Sequence, residues 1–435
     1  MKKIPVLWLI EHIAREMDVA CAVKCLVKQR HGIDITIRHV YYHAREVMES
    51  FDPEVVFLPF FYKTSDLAYD DFIASWPDAQ FVNLSWEQLH YQAHVKIKAP
   101  GDEFAKKRVI HHAWGEFGAK YLAENEVPEE HIFRNGNPTY QLYRKPYAHY
   151  YKDRVALAET YGLDPNKRWT FFPENYRWVF VTQSKIERWV KRDGANMEDF
   201  IAMRKFCTDS LKIILEWCRH AAREPGVEII FRPRPATSTQ QIIDFMHENV
   251  SSESAPHFHI IKGDTVREWN LASDVIISSF STTMIEASMA GKSSFMVEPV
   301  ALPPALHCDW YEYIPRLRTE EEFVRACVNR EDDANSKRLK AWAESQMLAS
   351  EDPISGLADF VPQVLRKVRQ KDTFFQKIGK RVFGKEREAV RYKKNYFNAT
   401  THENDVFTPE VIEQNVRKWE QAFAHSDTAS ALSHV

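Results

Sequence analysis

The sequence lacks the signatures of several common chemistries. Its six cysteines include no C-x-x-C pair and no zinc-ligand spacing, which argues against a structural zinc site and favours free thiols in a reducing compartment. Asp70-Asp71 is not an Asp-x-Asp metal clamp, so no metal site is predicted. Walker, G-x-G-x-x-G and G-x-S-x-G motifs are also missing, which excludes a P-loop, a dinucleotide fingerprint and a hydrolase nucleophile elbow.

Long apolar runs and a strong excess of one charge are absent too. The run that begins at Val6 stops at Glu11, too early for a membrane span or the core of a signal peptide, so it predicts a buried first strand. The net charge of -3 argues against a dedicated nucleic-acid binder. Together with the free thiols, these features predict a cytoplasmic protein.

The chain does contain two successive alternations of short apolar runs with amphipathic stretches. Such alternation predicts parallel sheets with helices on both faces, and 435 residues exceed what one hydrophobic core needs. The predicted strands are 6–10, 33–40, 55–60, 81–85, 108–112, 169–172, 227–231, 259–261, 275–278 and 294–297. We therefore expect an α/β protein of two facing Rossmann-like domains, at 1–145 and 168–352, with a linker at 146–167 and a helical basic C-terminal region at 353–435.

A run of small hydroxyl residues follows the strand predicted at 275–278. Parallel sheets bind ligands beyond the carboxyl ends of their strands, where helix N-termini present N–H groups. Hydroxyls and N–H groups together form a neutral site for phosphate, and Glu286, one turn into the next helix, can reach ribose hydroxyls. The alternative is that these residues only cap the helix, although the run exceeds what one cap needs. The predicted phosphate-binding residues are Ser278, Ser279, Ser281, Thr282 and Thr283.

Two arginines follow the strand predicted at 227–231. Arg232 and Arg234 stand in Arg-Pro-Arg-Pro, where the prolines stiffen the backbone, and fixed guanidinium groups can bind phosphate oxygens bidentately. The alternative is a pair of solvated surface arginines. In the first loop of the second half, Glu174 and Asn175 suit hydrogen bonding to sugar hydroxyls, which makes Glu174 a candidate catalytic residue and Asn175 a candidate donor-binding residue, although Glu174 equally fits an ordinary acidic cap.

Three strand ends of the first half carry candidate acid–base groups. Glu11 and His12 follow the first strand, Glu87 follows a later one, and Glu116 comes shortly after the His111-His112 pair. Any of these groups can deprotonate an acceptor hydroxyl or stabilise a sugar cation. A lone histidine at such a position is more often structural, whereas three carboxylates at one sheet edge favour function. We expect Glu11, Glu87 and Glu116 to converge.

Four segments, in this order, resemble the GT-B glycosyltransferases of bacterial capsule and lipopolysaccharide biosynthesis. That group includes the Kdo transferases and, more distantly, the CDP-glycerol and polysialic acid transferases. The segments are IEHIARE at 10–16, EHIFRNGNP at 130–138, PENY at 173–176, and the run 278–286 preceded by ASD at 272–274. They span roughly residues 4 to 300.

By that resemblance, the second domain binds the nucleotide of an activated sugar and the first presents the acceptor. The implied activity is metal-independent transfer of a sugar from a nucleotide donor, CMP-linked as in CMP-Kdo, to a surface polysaccharide or glycolipid, with no further cofactor. Relatives often carry Arg-Pro-His-Pro, so Arg234 replaces a histidine here and puts a His-based phosphate contact in doubt. The alternatives are a nucleotide-sugar epimerase or hydrolase of the same fold, and a non-catalytic assembly scaffold.

The C-terminal region is strongly basic. Between residues 366 and 394 there are 12 Lys plus Arg and three acidic residues, interleaved with Phe and Tyr. Such a segment predicts that residues 366–397 contact an anionic membrane surface, on the inner face of the inner membrane, where lipid-linked acceptors reside. The alternative is a solvated helix that braces the first domain.

Overall fold

The computed structural model describes residues 1–66, 68–90, 94–193, 196–235, 237–251, 253–329, 334–379 and 405–432. The chain forms two compact units. The first contains Met1–His90, His94–Tyr150 and the described residues from Glu344 onward, and the second contains the described residues of Tyr151–Ala343.

The first unit is built on a six-stranded parallel sheet with the order β2-β1-β3-β4-β5-β6 among its described residues. Because helices cover both faces, the first strand is a continuous apolar run, and Val6 to Ile10 are 0% exposed. The strands are β1 Lys2–Ile10, β2 Ile35–His39, β3 Phe51–Leu58, β4 Gln80–Asn83, β5 Val109–Ala113 and β6 Ile132–Arg134. The helices are α1 Asp18–His31, α2 Ala44–Ser50, α3 Tyr69–Ser75, α4 Glu103–Arg108, α5 Glu116–Glu124 and α6 Pro138–Gln141.

The second unit repeats this construction with the order β12-β11-β10-β7-β8-β9, again all parallel. Its strands are β7 Arg168–Pro173, β8 Val227–Arg232, β9 Phe258–Ile260, β10 Val275–Ser278, β11 Ser293–Val297 and β12 Arg316–Leu317. Its helices are α7 Arg154–Tyr161, α8 Gln183–Asp193, α9 Met197–Ala221, α10 Thr239–Asn249, α11 Val266–Ala272, α12 Thr283–Met289 and α13 Glu320–Val328. The predicted α/β class with two Rossmann-like parallel sheets is confirmed.

The division of the chain differs from the expected one at its C-terminal side. The helix α14, Ala334–Met347, carries the chain out of the second unit at Ala343. The last two helices, α15 Pro353–Gly379 and α16 Pro409–Leu432, pack on α1 of the first unit and do not form a separate region. They do so because each has an apolar face to bury, with Leu357 and Trp419 0% exposed. The expected linker 146–167 contains α7, and the unit boundary falls after Tyr150.

The predicted membrane-contact segment 366–397 is described only as far as Gly379, and residues 380–397 lie outside the described residues. Within α15, Arg369 forms an ion pair with Glu54 of the first sheet's β3 at 2.7 Å. Among the helices that the structure describes, none has the length and apolar character needed to cross a membrane.

Two histidines of β5 lie inside the first unit. His111 and His112 are 0% and 1% exposed. His111 Nε2 lies 2.8 Å from the Ala105 carbonyl oxygen, and His112 Nδ1 lies 3.2 Å from the Leu84 carbonyl oxygen. Burial lowers the pKa of each imidazole to about 4, so both are neutral core residues at pH 7. They do not act as bases at the sheet edge, because no solvent reaches them.

These two histidines predict acid destabilisation of the first unit. Below pH 6.5 the unfolded chain protonates both imidazoles, but the folded chain does not until about pH 4. The free energy of unfolding should therefore fall by up to about 1.4 kcal/mol per pH unit for each histidine across this window. Urea denaturation at several pH values measures the slope. His112→Gln should be less stable at pH 7, but its free energy of unfolding should depend less steeply on pH, by up to about 1.4 kcal/mol per pH unit. An unchanged slope of the free energy of unfolding against pH contradicts the assignment.

Candidate functional site

Loops from two central strands meet at the carboxyl edge of the second unit's sheet, the edge at which its strands end. The strand order reverses between β7 and β10, which is where open parallel sheets bind ligands. Ser278 Oγ donates to the Pro173 carbonyl oxygen at 2.7 Å, and Asn175 Nδ2 donates to the Phe280 carbonyl oxygen at 3.3 Å. Ser278 therefore fixes the two strand ends to each other, and Asn175 lies at the point where the strand order reverses.

The hydroxyl run divides into an anchoring part and an accessible part. Ser278 and Ser279 are buried, at 0% and 2% exposure. Ser281 is half-buried, and its Oγ lies 3.1 Å from Thr283 Oγ1 and accepts the Thr283 N–H at 3.3 Å. Thr282 is exposed at the start of α12 and makes no side-chain cap. The accessible hydroxyls thus belong to residues 281–283, while the first two serines support the loop.

Glu286 lies in the first turn of α12 and is half-buried. Its position in the first half of that helix agrees with the expected one. The contact with ribose that the sequence analysis expects of Glu286 stays a prediction.

Arg232 ends β8 and is buried without a carboxylate partner. It is 8% exposed, its Nη2 donates to the Asp264 carbonyl oxygen at 2.9 Å, and its Nε has no hydrogen-bond partner. It forms no ion pair with any residue that the structure describes. Burial lowers the pKa of this guanidinium, but an arginine stays charged in proteins. A buried, unpaired positive charge is costly unless an anion binds it.

Arg234 lies two residues further and is half-buried. Its side chain likewise has no ion pair within the described part of the chain. Burial lowers its pKa, while the nearby Glu174 charge acts in the opposite direction. Arg232 and Arg234 thus place two unpaired guanidinium groups at this edge.

Glu174 holds two loops of this edge together. It is 4% exposed, and its carboxylate accepts the backbone N–H of Tyr176 and that of Arg234, the latter at 3.2 Å. Burial raises its pKa, and these N–H groups partly offset the effect. Because both carboxylate oxygens accept backbone N–H groups, Glu174 orders the Arg234 loop, and its catalytic role stays a prediction.

Two residues of the same edge were missed by the sequence analysis. Lys262 follows β9, and its Nζ donates to the Thr237 carbonyl oxygen at 2.7 Å. Burial and the nearby Arg232 charge lower the pKa of Lys262. Asp264 has a left-handed backbone with φ 54°, which turns its carbonyl oxygen to Arg232. A basic residue directly after a short strand was the available signal for Lys262.

In the first unit, one arginine binds three carboxylates. Arg15 lies 2.9 Å from Glu11 Oε2, 2.6 Å from Glu16 Oε1 and 2.7 Å from Glu87 Oε1. Glu16 is 0% exposed, and its Oε2 accepts the Glu11 N–H at 2.9 Å. The structure therefore brings together Glu11 and Glu87, which lie 76 positions apart, at the carboxyl edge of the first sheet. Arg15 was missed, although its i, i+4 spacing from Glu11 was a signal.

The Glu87 carboxylate remains ionised under all ordinary conditions. Burial acts to raise its pKa, but the charges of Arg15 and Lys98 outweigh burial and lower the pKa to about 2. Lys98 forms an ion pair with Oε2 of Glu87, whereas Arg15 meets Oε1. A carboxylate held between two cations is a poor base, but its negative charge can stabilise a positive charge nearby.

Glu116 does not join this cluster, contrary to the expected convergence. It begins α5 with a side chain that is 77% exposed, and its partner is Arg134 at 3.5 Å. Glu116 lies at the start of a helix, where a negative charge interacts favourably with the helix dipole, so the position of this residue has a structural explanation.

His12 has a partner from the far end of the chain. Its Nδ1 lies 2.9 Å from Asp405 Oδ2, and Asp405 Oδ1 accepts the Ile13 N–H at 2.8 Å. The His12 side chain is 38% exposed, and its Nε2 lies 3.8 Å from Glu11 Oε2. Burial acts to lower the pKa of His12, but Asp405 and Glu11 outweigh it and raise the pKa above its ordinary value. No sequence signal linked two residues 393 positions apart.

Among the described residues, no group of three or more His, Cys, Asp or Glu has an arrangement that could hold a metal ion. The predicted absence of a cofactor stays a prediction.

Comparisons with known proteins identify the fold. No protein-family model matches the chain, and no curated protein sequence is similar to it. A crystal structure of a UDP-N-acetylglucosamine 2-epimerase superposes with a TM-score of 0.51, at 12% identity, over 90% of this chain and 100% of that one. A Listeria monocytogenes protein described as a UDP-N-acetylglucosamine 2-epimerase gives 0.50, at 11% identity, over 86% and 98%. A glycosyltransferase from Rickettsia africae gives 0.45, at 11% identity over 85% and 100%, and adds nothing to the assignment.

At such identities the likeness establishes the fold and nothing finer. The chain has the two-domain, Rossmann-like GT-B fold.

Proposed function

We propose that this chain is an enzyme that acts on a nucleotide sugar, and specifically a glycosyltransferase. The observation that carries the proposal is Arg232, a buried guanidinium at the sheet's ligand-binding edge with no carboxylate partner among the described residues. A phosphate supplies the missing negative charge, and Arg234 and the hydroxyls of residues 281–283 add hydrogen-bond donors around it. The fold supports the proposal, because sheets with this strand order commonly bind nucleotides at this edge.

In the proposed reaction, the bond between the sugar's anomeric carbon and the phosphate oxygen breaks while a bond to an acceptor oxygen forms. The electron pair leaves with the phosphate, whose growing charge Arg232 and Arg234 stabilise. The acceptor hydroxyl loses its proton to His12 Nε2. Within the first unit, Glu11 and Glu87, both fixed by Arg15, are the carboxylates that we propose as catalytic.

The finer proposals come from the sequence resemblance. They are a CMP-linked donor such as CMP-Kdo, a surface-polysaccharide or glycolipid acceptor, and a cytoplasmic location on the inner membrane face. The names of the structural neighbours favour UDP as the nucleotide. Both nucleotides fit the phosphate chemistry proposed here.

A second candidate is a nucleotide-sugar epimerase, which the names of two structures of the same fold favour. Inversion of a carbon needs a proton removed from one face and returned on the other, and His12 and Glu11, with Nε2 and Oε2 only 3.8 Å apart, cannot lie on opposite faces of one carbon, so a second group would have to act. A transferase needs only one base. The His12–Asp405 pair is compatible with either reaction, so the two candidate functions are distinguished by the products that the enzyme forms.

A nucleotide panel tests the proposal directly. Melting temperature is measured with CMP, CDP, UDP and GDP, and a nucleotide at about 100 times its Kd should add about 2.7 kcal/mol to the free energy of unfolding. One of the four should bind, and it identifies the base. If none raises the melting temperature, the donor-site assignment is wrong.

Incubation with the matching nucleotide sugar alone separates the two candidates. An epimerase converts the donor to its isomer without any acceptor, and NMR of the sugar's anomeric region detects the product. Without an acceptor, a transferase leaves the nucleotide sugar unchanged, and it releases nucleotide only when an acceptor glycan is added.

A further inference from the structure

Aromatic side chains lie in the loop that follows β3, at the carboxyl edge of the first unit's sheet. The rings of Phe60 and Tyr62 stack with 5.3 Å between their centroids and 23° between their planes, and both residues are half-buried. Phe60 also makes a T-shaped contact with the buried Tyr69 ring at 5.9 Å and packs against the hydrophobic core. The core therefore fixes Phe60, and Phe60 fixes the plane of the Tyr62 ring.

The backbone of this loop is held by two neighbouring loops. The Pro59 carbonyl oxygen accepts the Trp86 N–H at 3.3 Å, and the Tyr62 carbonyl oxygen accepts the Gly101 N–H at 2.7 Å. Among the described residues, Phe60 is the only ring that contacts Tyr62, and the Tyr62 hydroxyl makes no hydrogen bond. Tyr62 is thus a fixed ring whose second face has no aromatic partner, and whose hydroxyl has no hydrogen-bond partner, in the described part of the chain.

Tyr62 lies beside the carboxylates that Arg15 binds. Burial raises the pKa of the Tyr62 hydroxyl, and the charge of Glu87 raises it further. Arg15 opposes this effect and Glu11 reinforces it, so all three charges are close enough to act on the hydroxyl. From the loop after β2, the Tyr41 hydroxyl donates to Glu11 Oε1 at 3.3 Å. The ends of strands β1 to β4 therefore bring two tyrosines and two carboxylates to one part of the sheet edge.

This combination of groups fits a sugar ring. One face of a pyranose carries C–H groups, which pack on an aromatic ring, and its rim carries hydroxyls, which donate charge-assisted hydrogen bonds to carboxylates.

The local charge disfavours an acidic sugar. Four carboxylates lie in this cluster, against at most three cations. The carboxylates belong to Glu11, Glu16, Glu87 and Asp405, and the cations are Arg15, Lys98 and, when protonated, His12. A sugar that carries its own carboxylate or phosphate would therefore meet a net negative charge.

We propose that Tyr62 is the platform on which the acceptor sugar lies, and that this sugar is uncharged. The inference rests on the proposed function and deepens it, because it specifies the class of acceptor. The ring face of Tyr62 binds the C–H face of the sugar, and the sugar hydroxyls donate to Glu11 and Glu87. Tyr62 contributes to acceptor binding and takes no part in proton transfer.

Saturation-transfer NMR on the full-length protein tests this binding without any nucleotide. The probes are the methyl glycosides of glucose, galactose and mannose, together with the methyl uronide of each sugar. At least one neutral glycoside should receive saturation, most strongly at the C–H protons of one ring face. The matching uronide should bind at least about 10-fold more weakly because of like-charge repulsion. If no neutral glycoside binds, or if the uronide binds equally well, the proposal is wrong.

Variants of Tyr62 test the platform itself. Tyr62→Leu should weaken binding of that glycoside by about 10-fold, because leucine is apolar but offers no flat face. Tyr62→Phe keeps the ring and should keep most of the affinity. The matched control is Tyr313→Leu, since Tyr313 is half-buried and stacks on Trp342 at 5.5 Å with the same 23° angle, but in the second unit. This control should bind the sugar like the native protein.

Equal sugar affinity in Tyr62→Leu and in the native protein would show that the Phe60–Tyr62 stack is only structural. A second measurement needs no destabilising variant. The ring resonances of Tyr62 in isotope-labelled protein, assigned by their loss in Tyr62→Phe, should shift when the neutral glycoside is added. Resonances that stay in place overturn the proposal. Thermal melts establish that each variant is folded.

The nucleotide panel and the sugar titration separate the two ideas. If a glycoside binds through Tyr62 but no nucleotide raises the melting temperature, the platform stands and the proposed function fails. If a nucleotide binds and no glycoside does, the proposed function stands and this inference fails. In the active enzyme, Tyr62→Leu should raise the KM for the acceptor by about 10-fold and leave kcat nearly unchanged. A fall in kcat without a change in this KM contradicts a role in acceptor binding.

Discussion

Replacing Arg232 with leucine should abolish the stabilisation that a nucleotide gives, while the unliganded protein keeps its stability. The guanidinium is buried and bonded only to the Asp264 carbonyl oxygen among described groups, so its removal costs about 1 kcal/mol of hydrogen bonding. That loss is offset because an unpaired charge no longer has to be buried. Nucleotide affinity should fall by about 100-fold, or about 2.7 kcal/mol, because charge-assisted bonds to phosphate are lost. Calorimetric titration and urea denaturation of the same preparation measure both quantities.

The matched control is an arginine of the same unit that has a carboxylate partner. Arg154 lies at the opposite edge of the sheet, bonded to Asp274 at 2.9 Å and 4.4 Å over the Trp169 ring. Arg154→Gln should destabilise the fold by about 1 kcal/mol, because the Asp274 side chain is 39% exposed and keeps the Trp169 N–H as a partner, and it should not change the Kd. If Arg232→Leu instead destabilises the fold like Arg154→Gln and binds nucleotide normally, Arg232 is a structural residue.

The fold was predictable from the sequence because its signal is local. Each buried strand of a doubly covered parallel sheet is a short apolar run, and Val6–Ile10 or Val275–Ser278 can be recognised without knowing any partner. The strand β12 was missed because two residues are too few to show a pattern, and β6 was missed because only the first of its three residues is buried and the last is an exposed arginine. The packing of α15 and α16 on the first unit was only an alternative, because an amphipathic helix shows that it needs a partner but not which one.

The candidate site was predictable where it follows strand ends and unpredictable where it depends on distant pairing. The positions of Arg232 and Ser278 at the carboxyl edge follow from the parallel arrangement of the strands, which the alternation implies. Glu174 has the residue type of a catalytic group, but its carboxylate binds backbone N–H groups, which only coordinates reveal. Asp405 could not be linked to His12 at all, because 393 residues separate them and no motif marks either one.

Replacing His12 with glutamine should lower kcat/KM by about 10² to 10⁴-fold, the usual contribution of a general base. In the native enzyme the neutral imidazole is the active form, so kcat/KM should rise with pH through the His12 pKa, which lies above 6.5. Glutamine has no titrating group, so this limb should disappear from the profile. Nucleotide affinity should stay the same, because the phosphate-binding residues belong to the other unit.

His31→Gln is the matched control, because His31 also pairs with a carboxylate, Asp359, at 3.2 Å, but at the end of α1. Its variant should keep both the rate and the pH limb. Loss of activity in both variants would point to a general effect of charge on the first unit. If His12→Gln retains the native rate and pH profile, the base must be another group of the Arg15 cluster. Glu11 is then the next candidate, because its Oε2 lies 3.8 Å from His12 Nε2 and the same acceptor hydroxyl can reach both.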